Sequence, residues 1–256
     1  MNSNHGPHKP VESRDGNPTG NPSNIPMEYS RRLFLDNSLE GYKRPKPYGF
    51  YDQDYEYGIE GGRWKRSYAR IVHLLPSFSP IDVYLDGKLF YSGLRYQGVS
   101  DYMSVRPGNH RIIFCTIGRR SRPIYYKTLF IPRRGIVSMV VHGLSTGPDV
   151  IVLDDKTTVP TGRSKVKIVH LAPYIPAVDL LAGRWMWFNE IIYQEASEYI
   201  PIPAGRETLT LRASETKHII FTLPNAYFGR NRAHTVYVTK QTHSISSINL
   251  FITQDG

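Results

Sequence analysis

The sequence predicts an all-β protein made of two tandem β-sandwiches behind an N-terminal arm. Three observations carry the prediction. First, the chain repeats itself: Ala69-Arg-Ile-Val-His-Leu-Leu-Pro returns as Val166-Lys-Ile-Val-His-Leu-Ala-Pro. His73 and His170, Pro76 and Pro173, Asp82 and Asp179, Tyr96 and Tyr193, and Gly108 and Gly205 are all 97 residues apart. A repeat of that length is a whole domain, because solenoid repeats run roughly 20–50 residues. Second, each copy is a series of short β-branched and aromatic runs with no helical periodicity. Third, turn dipeptides separate those runs, as in a sandwich of roughly seven strands.

In chain order, residues 1–67 form the arm. They are rich in Asn, Pro, Gly, Ser and charge and hold too little apolar surface for a core, so they are expected to be largely disordered. Within the arm, Tyr42, Tyr48, Phe50, Tyr51, Tyr55 and Tyr57 crowd Lys43, Arg44 and Lys46. Such a segment can order against a partner.

The first sandwich spans 68–156, with strands expected at 70–74, 81–85, 99–105, 111–116, 124–131, 136–142 and 150–153. Asp86-Gly87 is a hairpin signal, and Pro107-Gly108 and Arg134-Gly135 supply further turns. Residues 157–164 read as a short exposed linker. The second sandwich, 165–256, repeats the scheme with strands at 166–171, 178–181, 196–202, 207–213, 218–223, 233–239 and 246–252. Its first hairpin turn should differ, since Ala182-Gly183-Arg184 stands where the first copy has Leu85-Asp86-Gly87. Each copy is long enough for its own core, and the two are expected to fold as independent twins.

Composition narrows the function classes. The single cysteine, Cys115, lies in an apolar run, which rules out an intrachain disulfide and predicts a buried thiol. No run approaches the ~18 apolar residues of a membrane span, and the first ten residues lack the apolar core of a secretory signal. The expectation is synthesis in the cytoplasm without Sec export. Net charge is +10. By segment it is 10 − 9 = +1 for residues 1–67, 12 − 6 = +6 for 68–156 and 10 − 7 = +3 for 157–256, so the excess sits in the first copy.

The repeated unit runs from a strand ending in Val-His, through x-x-Pro and a Pro-bearing loop, to an Asp that opens an apolar run. A Ser-x-Tyr strand and Pro-Gly follow. This unit resembles the bacterial family of uncharacterised domains known as DUF4397. The resemblance covers about residues 68–156 and again 165–255, and implies two tandem copies. It further implies an immunoglobulin-like all-β domain, often envelope-associated, with no established catalytic activity.

Candidate chemistry is thin. His73 with Asp82, and His170 with Asp179, repeat as pairs that a divalent ion could use. Yet one His and one Asp per copy fall short of the three or four protein ligands a zinc site needs. The expected role of His73, Pro76, Asp82, His170, Pro173 and Asp179 is structural, with the ring N–H held by a carboxylate or a backbone carbonyl near the Pro loop. No cofactor is expected. Gly143-Leu-Ser145-Thr-Gly147 matches a nucleophile elbow, but Pro148-Asp149 and a strand-like run follow where a helix is required, so it reads as a turn. Asp101 and Glu198 stand alone in their copies, and Asp154-Asp155 reads as a solvated turn ending a strand.

The possible binding surface is basic and aromatic. Arg119, Arg120 and Arg122 precede, and Arg133 and Arg134 follow, a strand bearing Tyr125, Tyr126 and Phe130. At ~3.3 Å per residue that strand holds the two groups about 30 Å apart, at opposite ends of the sandwich. Trp185 and Trp187 alternate and should share a strand face. The functional expectation is a non-enzymatic structural or adhesive protein of a bacterial envelope or spore surface layer. Its partners would be other proteins or itself. The alternative is a carbohydrate or anionic-polymer binding module.

Overall fold

The computed structural model describes residues 66–119, 122–144, 147–241 and 247–255. The expected arm, apart from its last two residues, lies outside them, as do Arg120 and Ser145. The described residues form sixteen strands and one short 3-10 turn, Pro76–Phe78. No helix among them is long and apolar enough to cross a membrane.

The first sandwich comprises β1 (Ser67–His73), β2 (Ile81–Leu85), β3 (Lys88–Leu94), β4 (Met103–Val105), β5 (Gly108–Thr116), β6 (Pro123–Ile131), β7 (Ile136–Leu144) and β8 (Gly147–Asp154). The second comprises β9 (Arg163–His170), β10 (Val178–Ala182), β11 (Trp185–Ile191), β12 (Ile200–Pro203), β13 (Gly205–Ala213), β14 (Ile219–Phe228), β15 (Arg232–Lys240) and β16 (Ile248–Asp255). Each has two four-stranded sheets, ordered β3-β2-β5-β6 and β4-β1-β7-β8 in the first, β11-β10-β13-β14 and β12-β9-β15-β16 in the second. β1 runs parallel to β7, and β9 parallel to β15. Eight strands split four and four, where a constant-type immunoglobulin domain has seven split four and three.

The strands that the periodicity did not mark are β3 and β11. Each carries two bulges against its neighbour. In β3 the pairings jump from Val83↔Tyr91 to Tyr84↔Leu89, leaving Phe90 unopposed. In β11 they jump from Leu180↔Phe188 to Leu181↔Met186, leaving Trp187 unopposed. An extra residue resets the alternation and bends an edge strand away from further pairing.

The first hairpins differ as expected. Asp86 and Gly87 both have positive φ (49° and 77°), the signature of a type I′ turn, whereas in the second copy Gly183 alone is positive (54°).

Each sandwich has its own core, built from matched positions. Ile71, Val83, Ile112, Phe114, Ile131 and Met139 fill the first. Ile168, Leu180, Leu209, Leu211, Phe228 and Val236, each 97 residues on, fill the second.

The twins are nevertheless not independent. A third cluster joins Val72, Leu74, Val140 and Leu153 of the first to Val169, Leu171, Ala196 and Tyr237 of the second. The sheets containing β1 and β9 therefore pack face to face, and both sandwiches fall in one compact unit. Burial on both faces explains why the repeated Ile-Val-His-Leu segment is a continuous apolar run rather than an alternating one.

Candidate functional site

The signature histidines close the loops that follow them. In the first copy Pro76 opens the 3-10 turn, where its missing N–H costs no hydrogen bond. The turn presents the Phe78 carbonyl to His73 Nε2 at 3.1 Å, and Nδ1 accepts the Leu75 N–H at 3.4 Å. His170 repeats both contacts, donating to the Pro176 carbonyl at 3.3 Å and accepting from the Ala172 N–H at 3.2 Å. These partners fix a neutral ring with the proton on Nε2. Burial pushes both imidazoles down to about 4, against the partial support of the carbonyl. Pro173 lies in the matching loop, ahead of Tyr174 at positive φ.

The signature aspartates secure the second bulge of each edge strand. Asp82 accepts from Ser92 Oγ (2.7 Å), the Gly93 N–H (2.9 Å) and the Gly118 N–H (2.9 Å). Asp179 accepts from the Glu190 N–H (3.1 Å), Ser214 Oγ (2.7 Å), Arg212 Nε (3.0 Å) and Lys217 Nζ (3.2 Å). Gly93 and Glu190 are the matched bulge residues with positive φ. Burial opposes ionisation of both carboxyls, and the hydrogen bonds outweigh it, taking Asp82 below its ordinary value and Asp179 to about 2. Neither aspartate is hydrogen-bonded to the signature histidine of its copy, so the structure does not assemble the His–Asp pairs. Among the described residues no cluster of three or more His, Cys, Asp or Glu could hold a metal ion.

The densest polar constellation lies in the seam between the sandwiches. Arg70 on β1 bonds with Asp255 of the second copy through Nη2, which also donates to Thr253 Oγ1 at 3.2 Å. Its Nη1 donates to the Gln254 carbonyl at 2.6 Å and its Nε to Ser138 Oγ at 2.7 Å. The matched cation on β9, Lys167, reaches back to Asp155 of the first copy at 3.0 Å and to the Asp154 carbonyl at 2.7 Å. Tyr102 donates to Asp155 at 2.7 Å and Tyr199 to Asp255 at 2.8 Å. Ser138 donates to Asp155, and Thr235 to Asp255 at 2.6 Å. Arg70 lies 4.7 Å over the Tyr102 ring, and Lys167 4.6 Å over the Tyr199 ring.

Two cations meet two carboxylates, so the network is neutral, and the four charged side chains are at most 4% exposed. Burial opposes the Arg70 charge, yet Asp255, Tyr102 and Asp155 more than offset it and raise its pKa. Burial and the neighbouring carboxylates likewise push the Tyr102 and Tyr199 phenols up. The Arg70 charge is therefore held and the two phenols stay protonated donors.

This constellation corrects the reading of Asp154-Asp155 as a solvated turn, because Asp155 is 2% exposed and central to the seam. The matched Arg70 and Lys167, and Tyr102 and Tyr199, carried a signal in the repeat. The aspartates hid because the second hairpin is three residues longer between matched paired positions: Gly143↔Pro148 encloses four residues and Lys240↔Ile248 encloses seven. This moves the equivalent of Asp155 from 97 to 100 residues on, to Asp255.

Beside Lys167 the seam opens into a cleft of about 280 Å³ lined by Leu153, Lys156, Lys167, Glu198 and Tyr199. His142, 1% exposed on β7, has no hydrogen-bond partner for either ring nitrogen among the described residues, and burial pushes it down to about 4.

The basic residues fall where the strand length placed them. Arg119 and Arg122 are exposed at one end of β6, and Arg133 and Arg134 are exposed past the other. Trp185, paired with the core residue Ala182, and Trp187 lie on the same side of β11, but only Trp187 packs on the core. Trp185, at the start of the strand, is 65% exposed with the Arg184 guanidinium 5.0 Å from its ring, while Trp187 packs against Phe228 at 5.3 Å. Gly143 and Gly147 belong to one antiparallel hairpin, β7 to β8, rather than to a strand and a helix. A Cβ on Gly143 would stand 2.3 Å from the Gly147 carbonyl oxygen.

One exposed feature had no sequence-level counterpart. On the outer sheet of the first sandwich, Leu89, Tyr84, Ile113 and Tyr126 pair in a single row across all four strands. Leu89 and Tyr126 are exposed, and the Arg111 guanidinium stacks 4.9 Å from the Tyr126 ring. The second copy has Met186, Leu181, Thr210 and Thr222 in that row.

The fold and seam define a protein of paired β-sandwiches whose signature residues serve the backbone. Compared with known proteins, the model of DUF4397, a domain of unknown function, matches residues 67–181. The match begins at β1, takes in the whole first sandwich and ends within β10, and it supports the DUF4397 family for this stretch. No curated protein matches the chain.

Proposed function

We propose that this chain is a non-enzymatic structural or adhesive protein of a bacterial envelope or spore surface layer. In this reading it consists of two tandem DUF4397 copies and works through contacts of its outer sheets with other proteins or with itself. The observation that carries the reading is the row Leu89–Tyr84–Ile113–Tyr126, an apolar and aromatic band laid across a rigid sheet. Flat exposed bands of this kind mark interaction surfaces. The engagement of His73, His170, Asp82 and Asp179 by backbone and side-chain donors supports a non-catalytic role. Matched cores and the matched seam support the second tandem copy.

The test is fractionation of cells or spores carrying the chain. The wild-type product should extract with the surface-layer fraction, and Leu89→Ser with Tyr126→Ser should release it while its far-ultraviolet spectrum stays unchanged. Recovery of both proteins in the soluble fraction refutes the reading.

A second reading, contact with an anionic polysaccharide, is favoured by the Arg111–Tyr126 stack on the most basic part of the chain. Heparin retention that falls steeply with salt, through counterion release, and is weakened by Arg111→Ala would select it.

A further inference from the structure

The two sides of the seam are built from the same positions. Val72, Leu74, Arg70, Tyr102 and Ser138 on one side answer Val169, Leu171, Lys167, Tyr199 and Thr235 on the other, each 97 residues on, with Asp155 answering Asp255. Each sandwich contributes one buried cation and one buried carboxylate, and each cation bonds with the carboxylate of the other sandwich. The interface is thus pseudo-isologous, the arrangement that closes symmetric dimers.

We propose that the seam also forms between chains: the inner sheet of one copy of this protein takes the inner sheet of a second copy, so that two chains exchange sandwiches. The partner is a second copy of this chain, and the proposal deepens the surface-layer reading by naming how such a protein would assemble.

The connection between β8 and β9 suits the exchange. Its eight residues, 155–162, can span up to roughly 27 Å when extended. Past the buried Asp155, which stays in the seam, Lys156, Thr158, Pro160, Thr161 and Gly162 are exposed, so rerouting residues 156–162 uncovers no core. An exchanged seam makes every contact the closed one makes. The balance then depends on the hinge and on protein concentration, as in domain swapping. If the exchanged pair does not close on itself, the same contact propagates chain to chain.

Two charge variants test this on the full chain. The native seam sums to zero, with Arg70 and Lys167 against Asp155 and Asp255. Arg70→Glu leaves one cation and three carboxylates, a sum of −2. Asp255→Lys leaves three cations and one carboxylate, a sum of +2. Neither variant can neutralise its own seam. Mixed, the first sandwich of the Arg70→Glu chain, with two carboxylates, faces the second sandwich of the Asp255→Lys chain, with two ammonium groups. The remaining two sandwiches rebuild a native seam.

Light scattering should show each variant alone as a monomer and the mixture as a heterodimer of twice the mass. A mixture that stays monomeric while both variants keep their β spectra overturns the proposal. Should either variant fail to fold, the wild-type chain decides. Held at its urea midpoint at high protein concentration and returned to buffer, it should yield dimers that dissociate slowly on dilution, and a purely monomeric product overturns the exchange. Exchange without surface-layer extraction sinks the cellular placement alone. Surface-layer extraction without exchange sinks the exchange alone.

Discussion

Arg70 of the first sandwich and Asp255 of the second form an ion pair whose side chains are 4% and 0% exposed. Their matched positions, Lys167 and Asp155, form a second pair running the opposite way across the seam, with side chains 4% and 0% exposed. Charges removed from water this completely are tolerated only when every lone pair and proton finds a partner. Here Asp255 accepts from Arg70, Thr253, Tyr199 and Thr235. The two sandwiches are fastened by charge as well as by Val72, Val169 and their apolar neighbours.

Removing one member should therefore cost more than the pair contributes. Asp255→Ala leaves the Arg70 guanidinium buried without its carboxylate and should destabilise the chain by about 3–5 kcal/mol. The double change Arg70→Met with Asp255→Leu removes both charges and should recover part of that loss. It should not recover all of it, because Tyr199 and Thr235 still lose an acceptor. Urea unfolding of the three proteins measures the difference, and a double variant no better than Asp255→Ala would show that the charge contributes nothing beyond packing.

Acid should loosen the fold through its buried histidines. His73, His170 and His142 are held down to about 4 against an ordinary 6.5, so over that interval the unfolded chain binds protons the folded chain refuses. Their stabilising contribution is complete above pH 6.5 and is lost as the pH falls towards 4. At 1.36 kcal/mol per unit, each histidine accounts for roughly 3 kcal/mol. The melting temperature should fall between pH 6.5 and 4, and His170→Leu should flatten that slope. An unchanged slope in His170→Leu would remove this residue from the account.

The repeat made most of the fold legible because matched apolar positions report a shared core directly. Ile71 and Ile168, or Met139 and Val236, needed no further information. The short strands β3 and β11 were harder. Their bulges break the two-residue period. The seam was least legible. A strand buried on both faces looks the same in sequence whether its second cover is a loop or another domain. Asp155 at a strand end is indistinguishable from a solvated turn residue until the sheet across from it is known. The outer row from Leu89 to Tyr126 was invisible for a related reason, since it depends on register among four strands.

Asp82 and Asp179 give a paired comparison within one molecule. Asp82→Asn replaces one acceptor oxygen with a donor facing N–H groups or the Ser92 hydroxyl, and should cost about 1–3 kcal/mol. Asp179→Asn also loses the charge opposite Arg212 and Lys217, of which Lys217 is largely solvated. The additional loss should stay under about 1 kcal/mol and shrink in high salt. Asp179 adds stability that is complete above its ordinary 3.8 and lost as the pH falls through about 2. Thermal melts of both variants at low and high salt check the ordering, and equal losses at every salt concentration would show that the two cations add nothing.

The two tryptophans of β11 should answer differently to the same substitution. Trp185 is exposed beside Arg184, so Trp185→Ala should change stability by no more than ~0.5 kcal/mol. Trp187 packs edge-on against Phe228, which itself meets His234 edge-on at 5.3 Å, so truncation opens the end of the second core. Full burial of such a side chain puts the cost at 3–5 kcal/mol, and a half-buried one should lose about 2 kcal/mol. Fluorescence separates the same pair: acrylamide should quench the emission that Trp185→Ala removes far more than the emission that Trp187→Ala removes. If both substitutions were equally mild and both emissions equally quenched, Trp187 would not pack on the second core.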